Sequence, residues 1–511
     1  MEKRLLFLMV LLMLLLAACG RNTPEPHAEV IPLSINIDAY NDYLPYDAYE
    51  VVLPDIPLHN EYVVTLEVDP EMRTVQGISR IHFTNRSDEP METIVLRVFL
   101  NAFDPGIYPR PYTGDEEWRL YRPGPDSGRG YMSIEYVFIN NEASEYTLDG
   151  TILTLYLEEP IMPDVTALLS LQYNAYVPEF GHIMGGNDIG MWFGMFLPML
   201  SVHGEDGWHA EAFYPVGNPF FLETANYQVE ITTPFRYNVV GTGHRTEEII
   251  YDTDIKITRF TANMARDFAF AVLSPYYSSA GITTDSGVEI NFHYHTELVG
   301  GRVEEILEFA RFSMESFEHF VGVYPFGQIH IVETDLQHNT AAFSQMIFAD
   351  TRLLRHGELT DLSLSLGSQW FSSVVGVNRI AEPWLDKGLT RFVQAHIAHN
   401  TPELLHEYIQ QVHESIAGRT DLHLTDGLWV YETRQDFVAA QGYRAMLMLY
   451  QLQQRMGEEA FWAFIHLYYQ TFSFSIAGVA DFMYMAETIY DGDLQAFFDV
   501  WMTSDVVPPL Q

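Results

Sequence analysis

Cysteine is almost absent: the 511 residues hold a single one, Cys19. Disulfides and thiolate metal sites are therefore excluded together. Lysine is nearly as scarce. Of 27 basic residues only Lys3, Lys256 and Lys387 are lysines, which leaves 24 arginines. Positive charge as a whole is short, since those 27 face 69 Asp and Glu for a net charge of -42. Nucleic acid is excluded as a partner, because phosphate binding depends on lysine and arginine, and so is broad docking on anionic lipid. A long membrane-spanning run is also missing. The most apolar stretch, Leu5 to Leu16, is twelve residues, against the roughly 20 that a helix needs to cross a bilayer. Apolar residues as a class are plentiful: 48% of the chain is hydrophobic and 14% aromatic, which indicates a filled globular core and not disorder.

The first 19 residues read as a lipoprotein signal. Lys3 and Arg4 form the charged start, Leu5 to Leu16 the apolar segment, and Leu16-Ala17-Ala18-Cys19 fits the lipobox. There the cysteine becomes the lipidated N-terminus after cleavage. The expected location is a lipid anchor in the cell membrane, with the chain on the extracytoplasmic face. From 20 to 57 the sequence is rich in Pro, Asp, Asn and Tyr without a period, as a tether and extended lead-in would be.

Alternating apolar and polar residues then predict strands at Tyr62–Val68, Val75–Phe83, Ile94–Leu100, Tyr146–Leu157, Thr166–Tyr173, Tyr227–Thr233 and Val239–Thr242. Tyr108 to Gly130 is polar and rich in Pro, Gly and Arg, as a loop insertion would be. After about residue 280 the period changes. Val303, Ile306, Leu307, Ala310, Met314, Phe317 and Val321 form one stripe of an amphipathic helix over 302–321. A strand is expected at Gln328–Glu333, a single edge strand at Ala341–Ala349, and helices near 402–417, 436–456, 458–471, 479–490 and 493–502.

The most informative stretch is Asp361 to Asn400. Leu362, Leu366, Trp370 and Val374 fall four apart, which predicts a helix over 362–375 behind a cap at Thr360 or Asp361. A second helix starts near Glu382-Pro383, with proline in its first turn, and runs to His399. Gln369-Trp370-Phe371 on the first helix and Trp384-Leu385-Asp386-Lys387-Gly388 on the second stand in register with a known pattern. They resemble the core of the zinc aminopeptidases of the membrane alanyl aminopeptidase and leukotriene hydrolase type, within the gluzincin metallopeptidases. In that family the first helix carries His-Glu-x-x-His and the second a glutamate as third zinc ligand. Eighteen residues lie between Ser368 and Lys387, which is the family's spacing between the second and third ligands. The resemblance implies an α+β chain. An all-β, saddle-like domain occupies 58–280, and a mainly helical thermolysin-like domain occupies 281–511, without the large C-terminal helical domain of many relatives.

The functional residues of that family are replaced here. Its histidine positions hold Leu364 and Ser368, its general-base position Ser365 and its third-ligand position Lys387. Ala342 stands at the glutamate that holds a substrate's amino group, and Ala439 at the oxyanion tyrosine, with Tyr443 one helical turn further on. Zinc needs imidazole, thiolate or carboxylate donors at about 2.0–2.3 Å. A leucine, two hydroxyls and an ammonium do not supply them.

The expected function is that of a catalytically inactive, aminopeptidase-like surface lipoprotein that binds peptides or a protein partner, with no cofactor. Lys387 would repair the lost charge, with Ser365 and Ser368 accepting its hydrogen bonds and Asp386 or Glu382 balancing it. Two enzyme readings stand beside this one. The first is a metallo-aminopeptidase holding zinc through unrecognised ligands, for which His406-Glu407, His396 with His399, His203-Gly204-Glu205 and His356-Gly357-Glu358 are the candidates. The second is a Ser-Lys hydrolase in which a desolvated Lys387 activates Ser368.

Overall fold

The computed structural model describes residues 59–104, 129–179, 183–214, 216–251, 254–296, 301–336 and 339–510. The signal segment with Cys19, the tether to residue 57 and nearly all of the 108–130 insertion lie outside the described residues.

Sheet comes first and helix second, in the expected order. An eight-stranded sheet runs in the order His244–Tyr251, Ile255–Ala265, Ala225–Pro234, Asn60–Asp69, Thr74–Thr84, Thr166–Tyr176, Tyr131–Ile139, Glu142–Ala143. Its pairs are antiparallel except for Asn60–Asp69 beside Ala225–Pro234, which run parallel. The alternation of Tyr62, Val64, Leu66 and Val68 as buried residues gives Asn60–Asp69 one inward face. Two four-stranded sheets pack with it. One holds Met184–Asn187, Gly190–Phe193, Asn238–Gly241 and Phe270–Leu273; the other holds Met91–Arg97, Glu145–Asp149, Ile152–Ile161 and Met199–Leu200. Four of these elements, Met184–Asn187, Gly190–Phe193, Met199–Leu200 and Phe270–Leu273, were not expected from the sequence. Gly190–Phe193 and Phe270–Leu273 are buried on both faces, so the period-two signal never arises.

The second part opens with a five-stranded sheet in the order Tyr277–Thr283, Glu289–His295, Gln328–Thr334, Met346–Asp350, Thr340–Phe343. Among the described residues ten α-helices accompany it: α1 (Val303–Phe320), α2 (Thr351–His356), α3 (Thr360–Ser368), α4 (Trp384–Ala398), α5 (Pro402–Ile416), α6 (Arg434–Phe437), α7 (Ala445–Met456), α8 (Glu458–Phe472), α9 (Val479–Tyr490) and α10 (Gln495–Thr503). Two π-helical segments, Gln369–Val374 and Val438–Arg444, continue α3 and join α6 to α7. No helix among the described residues is long and apolar enough to cross a membrane.

The strand expected over Tyr146–Leu157 is an antiparallel pair, Glu145–Asp149 and Ile152–Ile161, and the helix expected behind a cap at Thr360 or Asp361 starts at Thr360 after Leu359, with no side-chain cap. The single edge strand over 341–349 is a hairpin of two strands, Thr340–Phe343 and Met346–Asp350, with Ser344 and Gln345 in the turn. Gln345 has φ 58°, a left-handed conformation that reverses the chain inside an otherwise apolar run. The helix expected over 362–375 is α-helical only to Ser368. Beyond it Ser372 Oγ donates to Ser368 O at 2.8 Å, and Val375 N donates to Trp370 O at 2.9 Å. That five-residue step widens the last turn, and serine bonding back to the preceding turn favours such a departure.

Candidate functional site: a cationic cavity between α3, α4 and the edge hairpin

Three elements converge on a cavity of about 160 Å³. Helix α3 lends Leu364, Ser365 and Ser368; α4 lends Lys387, Thr390 and Arg391; the edge strand lends Thr340, Ala342 and Phe343. The loop from Val216 to Phe220 and the start of α6 close the remaining sides. Five of the six positions singled out in the sequence therefore share one space. The sixth, Ala439, is buried next to the lining residue Val438 without lining the cavity itself.

The convergence has a packing cause. Gly367 passes α1 so closely that a Cβ there would lie 2.2 Å from Phe317 Cζ, and Gly388 passes α7 with Ala445 Cβ at 2.4 Å from the corresponding point. Trp370, fully buried, donates from Nε1 to Gly322 O at 2.7 Å and stacks on Phe317. Gln369 fixes the hairpin. Its Nε2 donates to Phe343 O at 3.0 Å, while its Oε1 accepts from Gln345 N at 3.0 Å and from the Tyr324 hydroxyl at 3.3 Å. The block Gln369-Trp370 thus positions both the helix and the strand opposite it. The sequence reading used these residues as a marker and missed what they do.

The amine of Lys387 lies 2.9 Å from Asp386 Oδ2. Asp386 is fully buried, whereas the Lys387 side chain keeps 24% of its surface, open to the cavity. Desolvation holds the Lys387 pKa below the usual lysine value; Asp386 opposes that shift, and the Arg379 and Arg391 charges add to it. The expected ammonium-hydroxyl cluster is not formed. Ser365 Oγ donates to Thr340 Oγ1 at 2.7 Å, and Ser368 Oγ donates to Leu364 O at 3.1 Å, back along its own helix. Of the two carboxylates considered as counter-charges, Asp386 takes the role. Glu382 instead accepts from Val479 N at 3.2 Å, at the start of α9.

The donor chemistry of this cavity does not fit zinc. Asp361 is the one carboxylate among the described lining residues, and it already accepts a hydrogen bond from Asn339 Nδ2. No group of three His, Cys, Asp or Glu placed to share a metal occurs among the described residues. The alternative histidines have other partners. His406 Nδ1 is 3.1 Å from the Tyr450 hydroxyl, His396 Nδ1 donates to Phe392 O at 3.0 Å, His399 stacks on Tyr408, and His203 stands edge-on to Trp208. His356 closes α2 and contributes nothing to the cavity.

No protein-family model and no curated protein matches this chain. Solved structures do. The M1 zinc metallopeptidase from Deinococcus radiodurans aligns with a TM-score of 0.66 at 16% identity, over 89% of this chain and 96% of that one. A mutant of the same enzyme bound to a Tyr-Ser-Ala substrate aligns with a TM-score of 0.65 at 17% identity, over 88% and 95%. A two-domain M1 zinc metallopeptidase mutant bound to L-tryptophan aligns with a TM-score of 0.65 at 16% identity, over 90% and 98%. This chain has the fold of those proteins along nearly all of its described length.

Proposed function

We propose that this chain, built on the M1 metallopeptidase fold, is a catalytically silent relative of those aminopeptidases, tethered to the cell surface through Cys19, that holds a peptide or a protein segment in the cavity around Lys387. One observation carries the reading. The four positions that would supply metal ligands and general base line one cavity, yet they present Leu364, Ser365, Ser368 and Lys387, with the amine 2.9 Å from Asp386. Activating a hydrolytic water needs a Lewis acid or a base, and each contributes orders of magnitude to the rate. Neither is supplied by that set. The Ser368 hydroxyl is turned onto Leu364 O, which favours the silent reading over a Ser-Lys dyad. The retained cavity is the reason to assign binding, because a concave site with convergent polar groups is the usual form of a ligand site.

The test combines elemental analysis of the purified full chain with an aminoacyl reporter assay. Zinc well below one equivalent and hydrolysis at the level of the blank are expected. Stoichiometric zinc, whose removal abolishes hydrolysis, would return the protein to the working exopeptidases.

A further inference from the structure

The cavity wall carries the charge that the rest of the molecule lacks. The chain has a net charge of -42, yet Lys387, Arg391 and Arg434 all line the cavity, against Asp361 as the one carboxylate among the described lining residues. These cations are not equivalent. Lys387 is engaged by the buried Asp386. Arg391 lies over the Tyr443 ring at 4.9 Å from its centroid, and Gly442 makes room for it: a Cβ there would come within 2.7 Å of Arg391 Nε. Arg434 is exposed at the start of α6. Neither guanidinium pairs with a carboxylate among the described residues, whereas most of the surface arginines described do, as Arg311 does with Glu308 and Glu315.

A guanidinium offers a planar fork of donors that matches a carboxylate, and two of them around one small space make an anion site. Nothing in the cavity serves a free amino group comparably. The edge strand presents Ala342, and Asp361, the one carboxylate among the described lining residues, already has its Oδ2 held by Asn339. Beside the cavity lies an apolar shelf. Gly217 of the wall is backed by Leu428 and Phe437, and the adjoining Trp429 is 56% exposed with its ring 6.4 Å from Tyr214. The acidic exterior repels polyanions at a distance, so the fitting ligand carries few negative charges.

We infer that the cavity takes the carboxylate of a peptide segment, gripped by Arg391 and Arg434, with an apolar or aromatic neighbour of that carboxylate resting against Trp429. This rests on the peptide-binding reading above and reverses the polarity of recognition: the ligand enters by an acid and not by its amino terminus.

Three fluorescent, N-acetylated peptides test it on the purified full chain: one ending in Leu-Phe with a free C-terminus, the same peptide amidated, and an amidated peptide with Asp in place of that Leu. At least one acid-bearing peptide should bind about tenfold or more tightly than the neutral amide. Which of the two binds tells a C-terminal carboxylate from an acidic side chain. Arg391→Gln and Arg434→Gln should each weaken that peptide about tenfold and reduce its advantage over the amide, while Arg311→Gln changes nothing. Arg434 is exposed and carries the test should Arg391→Gln fail to fold. Equal binding of all three peptides, or an acid preference untouched by both arginine variants, overturns the inference and leaves peptide binding standing. No binding by any of the three overturns the inference and the peptide-binding part of the proposed function together. Zinc-dependent cleavage overturns the silent reading alone.

Discussion

Lys387 and Asp386 are adjacent in sequence and form a pair of unequal burial. The Asp386 carboxylate has no solvent exposure, and the Lys387 amine lies 2.9 Å from its Oδ2. Removing one partner of a buried pair leaves the other uncompensated, at a cost of about 3–5 kcal/mol when both are dry. Because Lys387 keeps 24% of its side-chain surface, Lys387→Met should lower stability by somewhat less, about 2–4 kcal/mol in a urea titration. Adding Asp386→Asn should restore most of it. If Lys387→Met proves neutral, the amine is not what holds Asp386. At this scale the sequence was informative about identity and silent about direction. It named five residues that line the cavity, Ala342, Leu364, Ser365, Ser368 and Lys387, yet it sent the lysine to Ser365 and Ser368. Two hydroxyls accept from an ammonium more weakly than a buried carboxylate does, and α-helical serines have a backbone acceptor within their own helix.

At the scale of elements, sheet pairing creates a feature that no motif announced. Glu289–His295 runs parallel to Gln328–Thr334. The pairing sets His293 Nε2 3.1 Å from His330 Nδ1, with the Ser279 hydroxyl 2.7 Å from His293 Nδ1. Burial pushes His293 down to about 4 and His330 to about 3, aided for both by the Arg245 charge. The unfolded chain takes up these two protons near pH 6.5, the folded chain only near 4 and 3. The stability they permit is therefore whole above pH 6.5 and is lost as the pH falls from there toward 3. Substituting His330→Gln removes one of the two. Its unfolding free energy relative to the parent should rise on acidification through that window, by up to about 1.4 kcal/mol per pH unit. Urea titrations at pH 7, 6 and 5 check this, and a difference that does not change with pH would show that the two imidazoles titrate alike in both states. The helices of this half were legible because one face is apolar, as in α1 and α5. The edge hairpin was not, because Met346–Asp350 is buried throughout and shows no alternation, and only the two residues Ser344-Gln345 part it from the first strand.

At the scale of the molecule, the sheet-rich and helical parts are joined by a buried cation. Arg266, 3% exposed, donates from Nη1 to Leu222 O at 2.8 Å, from Nη2 to Val374 O and Ser475 O at 3.0 Å each, and from Nε to Ser373 O at 3.3 Å. Burial pulls its pKa down to about 10, so it stays charged at neutral pH. Its neighbour Asp267 accepts from Ser344 N at 2.9 Å and so holds the edge hairpin. The described residues belong to one compact unit, and at this junction one side chain bonds to both of its parts. Arg266→Met should cost about 3 kcal/mol, since it removes a buried cation and the guanidinium donor of four carbonyl groups, of which Val374 O and Ser475 O keep a backbone N–H from Phe474 and Gly376. Thermal unfolding of the full chain measures that loss, and an unchanged midpoint would move the junction elsewhere.

What the sequence alone determined was the order of sheet and helix, the register of Gln369-Trp370-Phe371 against Trp384-Leu385-Asp386-Lys387-Gly388, and the absence of metal-binding side chains at 364, 368 and 387 and of a carboxylate at 365. Each is a property of neighbours or of fixed spacing along a chain, and periodicity or identity carries it. Only the tertiary structure decided that Lys387 turns to Asp386, that Gln369 ties the hairpin, and that Arg391 and Arg434 reach the same space. Those outcomes depend on which groups are desolvated together, and burial is fixed by the packing of elements distant in sequence.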